Sequence, residues 1–377
     1  MKFPKQLQNK IDKRYKNSTY RELRKENDLI DFSSNDYLGF AKNKKIAKKV
    51  AASLADEKNI NGSTGSRLIS GNNSLFDALE LMLADFFIAS SALIFNSGFD
   101  ANVGIFSSVL QRGDIILYDE LCHASIRDGI RLSNARSLKF KHNDLDDLGE
   151  KFKNAKRSSG NTYVAVESIY SMDGDQTPLK KISDFCRKNS IYLIVDEAHA
   201  TGIYGNKGNG LVVEFGLQEH VFARVYTFGK AIGCQGAVVV GSQELRSFLI
   251  NYARSFIYTT AMSMHNLFTI KYAFEELKIT NEITKLRKNI SLFKKEIKSR
   301  NLENIFLPSD SAIQSCIIPN NKNVKEIADK INAKHFDVKA ILSPTVSSGK
   351  ERLRFCVHSY NSTEQIQHVL YLLSTFV

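Results

Sequence analysis

The sequence contains six short apolar runs, each five to eight residues long, that recur between residues 91 and 241. Runs this short and this apolar are typical of strands buried on both faces of a sheet. The intervening stretches leave room for helical crossovers, and a helix is also predicted over 72–87, ahead of the first run. The runs are SALIF (91–95), DIILYD (114–119), TYVAVES (162–168), IYLIVDEA (191–198), RVYTFG (224–229) and GAVVVG (236–241). The sequence therefore predicts an α/β fold with a mostly parallel central sheet.

The pattern changes near residue 275, where a long charged amphipathic helix is predicted over 281–300. Shorter apolar runs and further helical stretches follow it, as in a smaller α+β domain. A helix and a short extended segment precede the alternating part of the chain. We therefore expect an N-terminal helix and extended segment (1–45), a large domain (46–270) and a small C-terminal α+β domain (271–377).

Composition narrows the class of protein. Of the 377 residues, 43% are apolar and 24% charged, which is typical of a globular chain. No apolar stretch approaches the ~18 residues that a membrane-spanning helix needs, and the polar N-terminus does not resemble a secretory signal. The five cysteines lie far apart without a CxxC pair, which argues against a zinc site or a disulfide framework. We expect a cytoplasmic protein with no metal site and no membrane partner.

The net charge of +12 is concentrated near the N-terminus, since the first fifty residues hold 14 Lys and Arg against 6 Asp and Glu. A solvated basic helix is the simpler explanation. The alternative is attraction to an anionic partner, which would be a nucleic acid, a phosphorylated substrate or an acidic carrier protein. Charge alone does not choose among these.

The segment DEAHATG (196–202) follows the apolar run at 191–195 directly. Open α/β sheets place ligands at the carboxyl ends of their strands. A nucleic-acid-dependent ATPase is one interpretation, but the chain has no GxxxxGK[ST] loop to bind phosphates. Another is that Asp196 contacts a buried cationic ring nitrogen. For Glu197, which points the other way by alternation, a structural role is favoured.

The segment YTFGKAIGCQG (226–236) places Lys230 just beyond another apolar run, between glycines at 229 and 233. Most lysines are solvated. Here the flanking glycines allow close approach of a ligand to the backbone, and nearby apolar surface lowers the pKa of an amine. A lysine that forms a Schiff base requires such surroundings.

Three further segments follow predicted strands. FNSGFDAN (95–102) has the form of a strand-to-helix turn whose free amides bind phosphate, although a plain turn is an equally good interpretation. DELCHASIRDG (119–129) carries His123, and ESIYSMDGDQTPL (167–179) carries Glu167 and Ser171. Because the carboxyl ends of parallel strands meet at one edge of a sheet, we expect these groups to lie close together.

One interpretation unites these segments. An aldehyde cofactor bound to Lys230 would have its ring nitrogen kept protonated by Asp196, because a buried carboxylate raises the pKa of that nitrogen. Its ring would stack on His123, and its phosphate would lie on the amides of Gly98 and Phe99.

The segments also resemble, in sequence and in order, those of the α-oxoamine synthases. These are enzymes that depend on pyridoxal 5'-phosphate (PLP) and have the aspartate aminotransferase fold, PLP fold type I. The resemblance runs from about residue 20 to RLRF (352–355). It rests on SSNDYLGF (33–40), STGSRLISG (63–71), FNSGFDAN, DELCHASIRDGIRLS (119–133), HNDLDDL (142–148), ESIYSMDGDQTPL, VDEAHATGIYG (195–205), TFGKAIGCQGA (227–237) and SFIYTTAMS (255–263).

The resemblance implies roles for individual residues. Lys230 would be the Schiff-base lysine and the acid and base at the α-carbon, Asp196 the partner of the ring nitrogen and His123 the stacking residue. Further cofactor contacts are implied for Gly98, Phe99, Ser171, His199 and Thr227, and for Thr259 or Thr260 across a dimer interface. Substrate contacts are implied for Arg21 (or Arg24 in its place), Asn35, His123, Thr345 and Arg354, with Arg354 binding the amino-acid carboxylate.

The implied reaction is a decarboxylative condensation of L-alanine with a pimeloyl thioester, carried either by CoA or by acyl carrier protein. The active site is expected at the interface of a homodimer. Related enzymes use glycine with acetyl-CoA, or serine with a fatty acyl-CoA, and such an activity is the alternative. No nucleic-acid partner is expected.

Overall fold

A computed structural model describes residues 2–23, 28–56, 61–155 and 160–377. Its helices are α1 (Lys5–Lys16), α2 (Lys44–Asp56), α3 (Ser74–Phe86), α4 (Gly98–Val109), α5 (Ala124–Leu132), α6 (Leu145–Ala155), α7 (Leu179–Lys188), α8 (Leu211–Glu214), α9 (Gln243–Tyr252), α10 (Arg254–Ile257), α11 (Met264–Leu277), α12 (Glu282–Ser299), α13 (Asn321–Asn332) and α14 (Thr363–Phe376). Within these described ranges, no helix combines the length and the apolar character needed to cross a bilayer.

The strands are β1 (Ile30–Asp31), β2 (Ser91–Phe95), β3 (Ile115–Asp119), β4 (Arg136–Phe140), β5 (Thr162–Glu167), β6 (Tyr192–Asp196), β7 (Ala223–Thr227), β8 (Ala237–Gly241), β9 (Ile313–Ile317), β10 (Phe336–Asp337), β11 (Lys339–Ile341) and β12 (Arg352–Cys356). All six predicted strands are observed, as β2, β3 and β5–β8, with ends within two residues of the predicted ones. The helices predicted over 72–87 and 281–300 correspond to α3 and α12.

A seven-stranded sheet has the strand order β2-β8-β7-β6-β5-β3-β4. Neighbours from β7 to β4 are parallel, whereas β8 runs antiparallel to both β2 and β7. This confirms the predicted mostly parallel sheet. Strand β4 was not predicted, because its sequence RSLKF lies at the sheet edge and buries only Phe140 fully, so it lacks the apolar signal of the central strands.

Alternating side chains of the central strands enter two apolar cores, one on each face of the sheet. In β5, Ala165 packs into the core that contains Ile105 of α4, while Val164 packs into the core that contains Ile182 of α7. Burial on both faces explains why these strands are apolar runs rather than alternating ones. Helix α3 is capped by Asn73, whose side chain accepts hydrogen bonds from the amides of Leu75 and Phe76.

The described chain divides into two compact units. The larger comprises 38–170 and 176–283, and the smaller comprises 1–37, 171–175 and 284–377. The sequence predicted a separate N-terminal part up to residue 45, but residues 1–37 group with the C-terminal residues because β1 pairs in parallel with β10. In the same unit, β9, β12 and β11 form a three-stranded antiparallel sheet.

A buried carboxylate, Glu80 of α3, holds several parts of the larger unit together. It accepts a hydrogen bond from the amide of Ile94 at 2.9 Å. It also forms ion pairs with Arg246 of α9, at 2.8 Å, and with Arg67. The Arg67 guanidinium also lies over the ring of Phe76, 4.0 Å from its centroid. Glu80 thereby connects segment 63–71 to α3, β2 and α9.

We expect Glu80→Ala to lower the free energy of unfolding by about 3 kcal/mol or more, because it leaves buried donors and a buried guanidinium without their acceptor. The matched control is Glu275→Ala, which removes a solvent-exposed ion pair with Lys49 and should cost less than about 1 kcal/mol. Urea unfolding of the full chain, followed by circular dichroism, measures both. Equal losses for the two variants would contradict this role of Glu80.

Candidate active site

The larger unit gathers polar groups where its parallel strands end. Asp196 is the last residue of β6 and Glu167 the last of β5, and these two residues are direct neighbours in the sheet register. His123 follows β3, and Lys230 follows β7. The topology therefore brings together the polar groups that sequence reasoning expected at one edge of the sheet.

Lys230 and His199 are in direct contact. The Lys230 Nζ atom lies 2.9 Å from Nε2 of His199, which is buried in the turn after β6. Lys230 itself is only half-buried. An amine at this position can exchange a proton with its surroundings and react with an aldehyde. The roles implied for the two residues stay predictions.

Asp196 is buried and has a hydrogen-bond partner on each carboxylate oxygen. Its Oδ1 atom accepts from the amide of Ala198 at 2.8 Å, and Oδ2 accepts from Nδ2 of Asn102 at 2.7 Å. The Asn102 amide also donates to Oγ of Ser125 at 3.0 Å. Sequence reasoning missed Asn102 and Ser125. The available signal was the position of Asn102 four residues after Gly98, on the same face of α4.

His123 directly precedes α5, and its ring nitrogen Nδ1 caps the helix by accepting a hydrogen bond from the amide of Ser125. The side chain is exposed over part of its surface, and burial of the rest lowers the pKa of the imidazole. The carboxylate of Asp196 opposes this shift of the His123 pKa, whereas the Lys230 ammonium adds to it. A neutral imidazole with one protonated nitrogen is therefore favoured near pH 7.

Glu167 supports His123 through the backbone. It is 3% exposed and accepts a hydrogen bond from the amide of His123 at 2.6 Å. Burial, and then the neighbouring carboxylate of Asp196, raise the pKa of Glu167 to about 8, while Lys230 works in the opposite direction. Only one of two adjacent buried carboxyl groups is readily ionised.

The predicted phosphate contacts lie at the start of α4. Gly98 and Phe99 are the first two residues of this helix, and amides at such positions have no acceptor within their own helix. A Cβ atom at Gly98 would lie 3.0 Å from Oγ1 of Thr227, so the absence of a side chain keeps the two close. Asn96 donates to Oγ1 of Thr259 at 2.9 Å and to the carbonyl of Thr260 at 2.8 Å. That contact is within one chain, and the predicted contribution of Thr259 or Thr260 across a dimer interface stays a prediction.

The smaller unit contains the predicted substrate contacts other than His123. Arg354 of β12 is buried, and its guanidinium donates to Oδ1 of Asn35 at 2.9 Å. Thr345 and Arg21 are exposed. Ser171 is half-buried at the start of segment 171–175, and Arg24 lies outside the described residues. The structure thus brings Arg354 and Asn35 into contact with each other, and the roles of this group of residues stay predictions.

Glu197 has the structural role that alternation favoured. It is fully buried and accepts hydrogen bonds from the hydroxyl of Ser168 and from the amides of Leu211 and Val212 at the start of α8. Its oxygens are therefore used inside the fold. DEAHATG does not act as a pair of exposed acidic residues, as the ATPase interpretation would need.

The chain belongs to the aminotransferase class I and II family, whose model matches residues 27–372. This membership confirms the predicted fold class, and with it the predicted cofactor: the chain is an enzyme that depends on PLP.

Relatives with near full-length similarity share one name. A protein of Emericella nidulans named 8-amino-7-oxononanoate synthase is 38% identical over 367 residues, covering 92% of this chain and 89% of that protein. One of Lysinibacillus sphaericus with the same name is 36% identical, with coverage of 90% and 86%. Together with the solved structures, these similarities confirm the resemblance to the α-oxoamine synthases.

Two solved structures have the same fold. That of 8-amino-7-oxononanoate synthase from Francisella tularensis is 30% identical, with a TM-score of 0.79 and coverage of 92% of this chain and 97% of that one. Serine palmitoyltransferase from S. paucimobilis has a TM-score of 0.89 over 99% and 96% of the two chains. At 23% identity, this second similarity shows the fold alone.

The buried carboxyl group of Glu167 gives a prediction about stability. Its pKa is raised from 4.5 to about 8 in the folded protein, so an unfolded chain releases this proton at lower pH than the folded one. The free energy of unfolding therefore decreases as pH rises between these values. Glu167→Gln releases no proton. We therefore expect its stability relative to wild type to increase between about pH 5 and about pH 8, by about 3 kcal/mol.

Urea unfolding of both proteins at the two pH values measures this difference. The exposed Glu303 provides the control, because Glu303→Gln should leave the pH dependence of stability unchanged. A difference between Glu167→Gln and wild type that stays constant with pH would show that Glu167 is ionised in the folded protein.

Proposed function

We propose that this enzyme condenses L-alanine with a pimeloyl thioester to give 8-amino-7-oxononanoate, CO2 and a free thiol, a step of biotin biosynthesis. The observation that carries the proposal is the near full-length similarity to proteins named for that product, at 32–38% identity. The side chains of the larger unit support PLP chemistry, and the buried Arg354 of the smaller unit supports recognition of a carboxylate.

The residues of the larger unit fit PLP. The glycine at position 98 and the first amides of α4 suit a phosphate group, and the acceptor-only carboxylate of Asp196 suits a protonated ring nitrogen. His199, beside Lys230, suits a polar ring substituent, and His123 suits the ring face. When bound, PLP supplies an aldehyde that reacts with amines and a ring that accepts electron density from the α-carbon.

The remaining work falls to the chain itself. Lys230 removes and returns the proton at the α-carbon, and its contact with Nε2 of His199 holds the amine in place. Arg354 binds the carboxylate of the amino acid, with its guanidinium oriented by Asn35. We further propose a homodimer in which Thr259 or Thr260 of a second copy completes the phosphate site. The acyl carrier is CoA or acyl carrier protein, to which the basic N-terminal region would be attracted.

The second candidate is another α-oxoamine synthase activity, with serine or glycine as the amino acid. Solved structures of serine palmitoyltransferase match this chain with TM-scores of up to 0.89, and one of them, from Sphingomonas wittichii, is 25% identical over 92% of it. The much longer acyl chain of that enzyme's substrate is the property that separates the two candidates.

We expect Lys230→Ala to lose the absorption band of the lysine Schiff base in the PLP-loaded protein and all measurable turnover, because alanine carries no amine that could form this bond or move the α-proton. Lys188→Ala is the matched control. This lysine is exposed at the C-terminal end of α7. The chain enters β6 from there, whereas Asp196 lies at the other end of that strand. Absorption spectra and thiol release measure both effects. Turnover by Lys230→Ala at the wild-type rate would exclude PLP chemistry at this residue.

A matrix of substrates tests the reaction itself. L-alanine, glycine and L-serine are each combined with pimeloyl, acetyl and palmitoyl thioesters, on CoA and on acyl carrier protein, while thiol release is measured. We expect the highest kcat/KM for L-alanine with a pimeloyl thioester. Preference for serine with a palmitoyl thioester, or for glycine with acetyl-CoA, would replace the proposed reaction by the second candidate.

A further inference from the structure

A continuous chain of hydrogen bonds connects the two side chains proposed to contact the PLP ring. Asp196 Oδ2 accepts from Asn102 Nδ2 at 2.7 Å, the same amide nitrogen donates to Ser125 Oγ at 3.0 Å, and Ser125 Oγ lies 2.7 Å from His123 Nδ1. The two intermediate residues are almost inaccessible to solvent, with Asn102 2% exposed and Ser125 0%. Water therefore does not compete for these contacts.

The chemistry of its two ends gives the chain one direction. At one end, the amide of Ser125 donates to His123 Nδ1 at 3.3 Å, and since an amide N–H only donates, Nδ1 is an acceptor. The Ser125 hydroxyl must then donate its single proton to Nδ1 and accept from Asn102. At the other end, the carboxylate of Asp196 only accepts. One proton of the Asn102 amide nitrogen is therefore donated to Asp196, and the other is donated to Ser125.

The orientation of the Asn102 amide supports this direction. Its Oδ1 atom is buried and has no hydrogen-bond partner in the described part of the chain. A flipped amide would direct that oxygen at the Asp196 carboxylate, where two acceptors repel each other. In the observed orientation both donors of the amide nitrogen are used, by Asp196 and Ser125, while Oδ1 stays unsatisfied. An unsatisfied buried acceptor costs free energy, so the two donated hydrogen bonds must outweigh it.

We propose that Asn102 and Ser125 are positioning residues that orient the Asp196 carboxylate and hold His123 in one tautomer, with the proton on Nε2. His123 then presents a donor at Nε2 only. A role of this tautomer in catalysis rests on the function proposed above. The tautomer itself follows from the hydrogen bonds and does not depend on that function.

The position of the proton on His123 is the direct test. Solid-state ¹⁵N NMR of histidine-labelled, full-length, PLP-loaded enzyme at about pH 8 distinguishes protonated from unprotonated ring nitrogens. The His123 signals are identified by their loss in His123→Gln. We expect an unprotonated Nδ1 and a protonated Nε2 in the wild type. A protonated Nδ1 in the wild type would overturn the proposal without any substitution of Asn102 or Ser125.

Asn102→Asp should reverse the direction of the hydrogen bonds between Ser125 and His123, with almost no change in side-chain shape. Whether the new carboxyl group is ionised, or is protonated and donates to Asp196, it offers Ser125 an acceptor. The Ser125 hydroxyl then donates its proton to that acceptor, and its oxygen accepts from a protonated Nδ1. The longer contact of 3.3 Å from the Ser125 amide to Nδ1 is lost in this arrangement. We therefore expect the ¹⁵N signals of Nδ1 and Nε2 to exchange character in this variant. An unchanged wild-type tautomer would show that the backbone contact alone sets it, which also overturns the proposal.

Ser125→Ala removes the donor to Nδ1 and should give a mixture of the two tautomers together with a roughly tenfold or greater loss of kcat, the factor expected for one hydrogen bond within a charged network. Its control is Ser108→Ala. Ser108 is a buried serine of α4 whose hydroxyl donates to the carbonyl of Gly104, outside the chain, so both the tautomer and kcat should stay at wild-type values. Since the NMR readout does not depend on the substrate, an error in the proposed reaction would leave the tautomer result intact.

Discussion

The site depends on placing two carboxyl groups side by side in a dry interior. Parallel pairing of β5 with β6 makes Glu167 and Asp196 direct neighbours, at 3% and 6% exposure. Two such groups do not both ionise without compensation. The fold resolves the conflict by unequal partners: Asp196 receives donors on both oxygens, while Glu167 receives the amide of His123 and, with its pKa raised to about 8, retains a proton. Asp196 thereby has the hydrogen-bond partners that suit a charged carboxylate, and Glu167 has fewer of them.

The same asymmetry extends to the groups around the two carboxyls. The amide of Asn102 is committed to Asp196, and the loop that carries His123 is attached to Glu167. Lys230 contributes positive charge, which acts on both Glu167 and His123 and lowers the pKa of each. Protonation states at this edge of the sheet are thus mutually dependent. A change at any one of these residues is expected to alter the charge of the others as well as the geometry.

Much of the larger unit could be predicted from the sequence, because strands buried on both faces leave an apolar signal that is independent of context. The central strands and the grouping of His123, Asp196 and Lys230 at their ends follow from that signal. Strand β4 could not be predicted, since an edge strand carries charged residues such as Arg136 and Lys139. Asn102 and Ser125 were missed for another reason. The spacing of Asn102 from Gly98 is a weak signal, because many polar residues on helices share it. The importance of such a residue is visible only when its partners from other elements are known.

The four letters DEAH illustrate how the same motif acquires different chemistry in different folds. In a nucleotide-binding protein, adjacent acidic residues of such a segment serve a metal ion and water. Here alternation along the chain separates them, so that Asp196 is directed toward Asn102 and Glu197 toward the amides of α8. His199 of the same segment then contacts Lys230, which lies 31 residues further along the chain. The function of the motif is thus decided by which side chains the neighbouring strands bring to it, and these neighbours suit a ring nitrogen and an aldehyde.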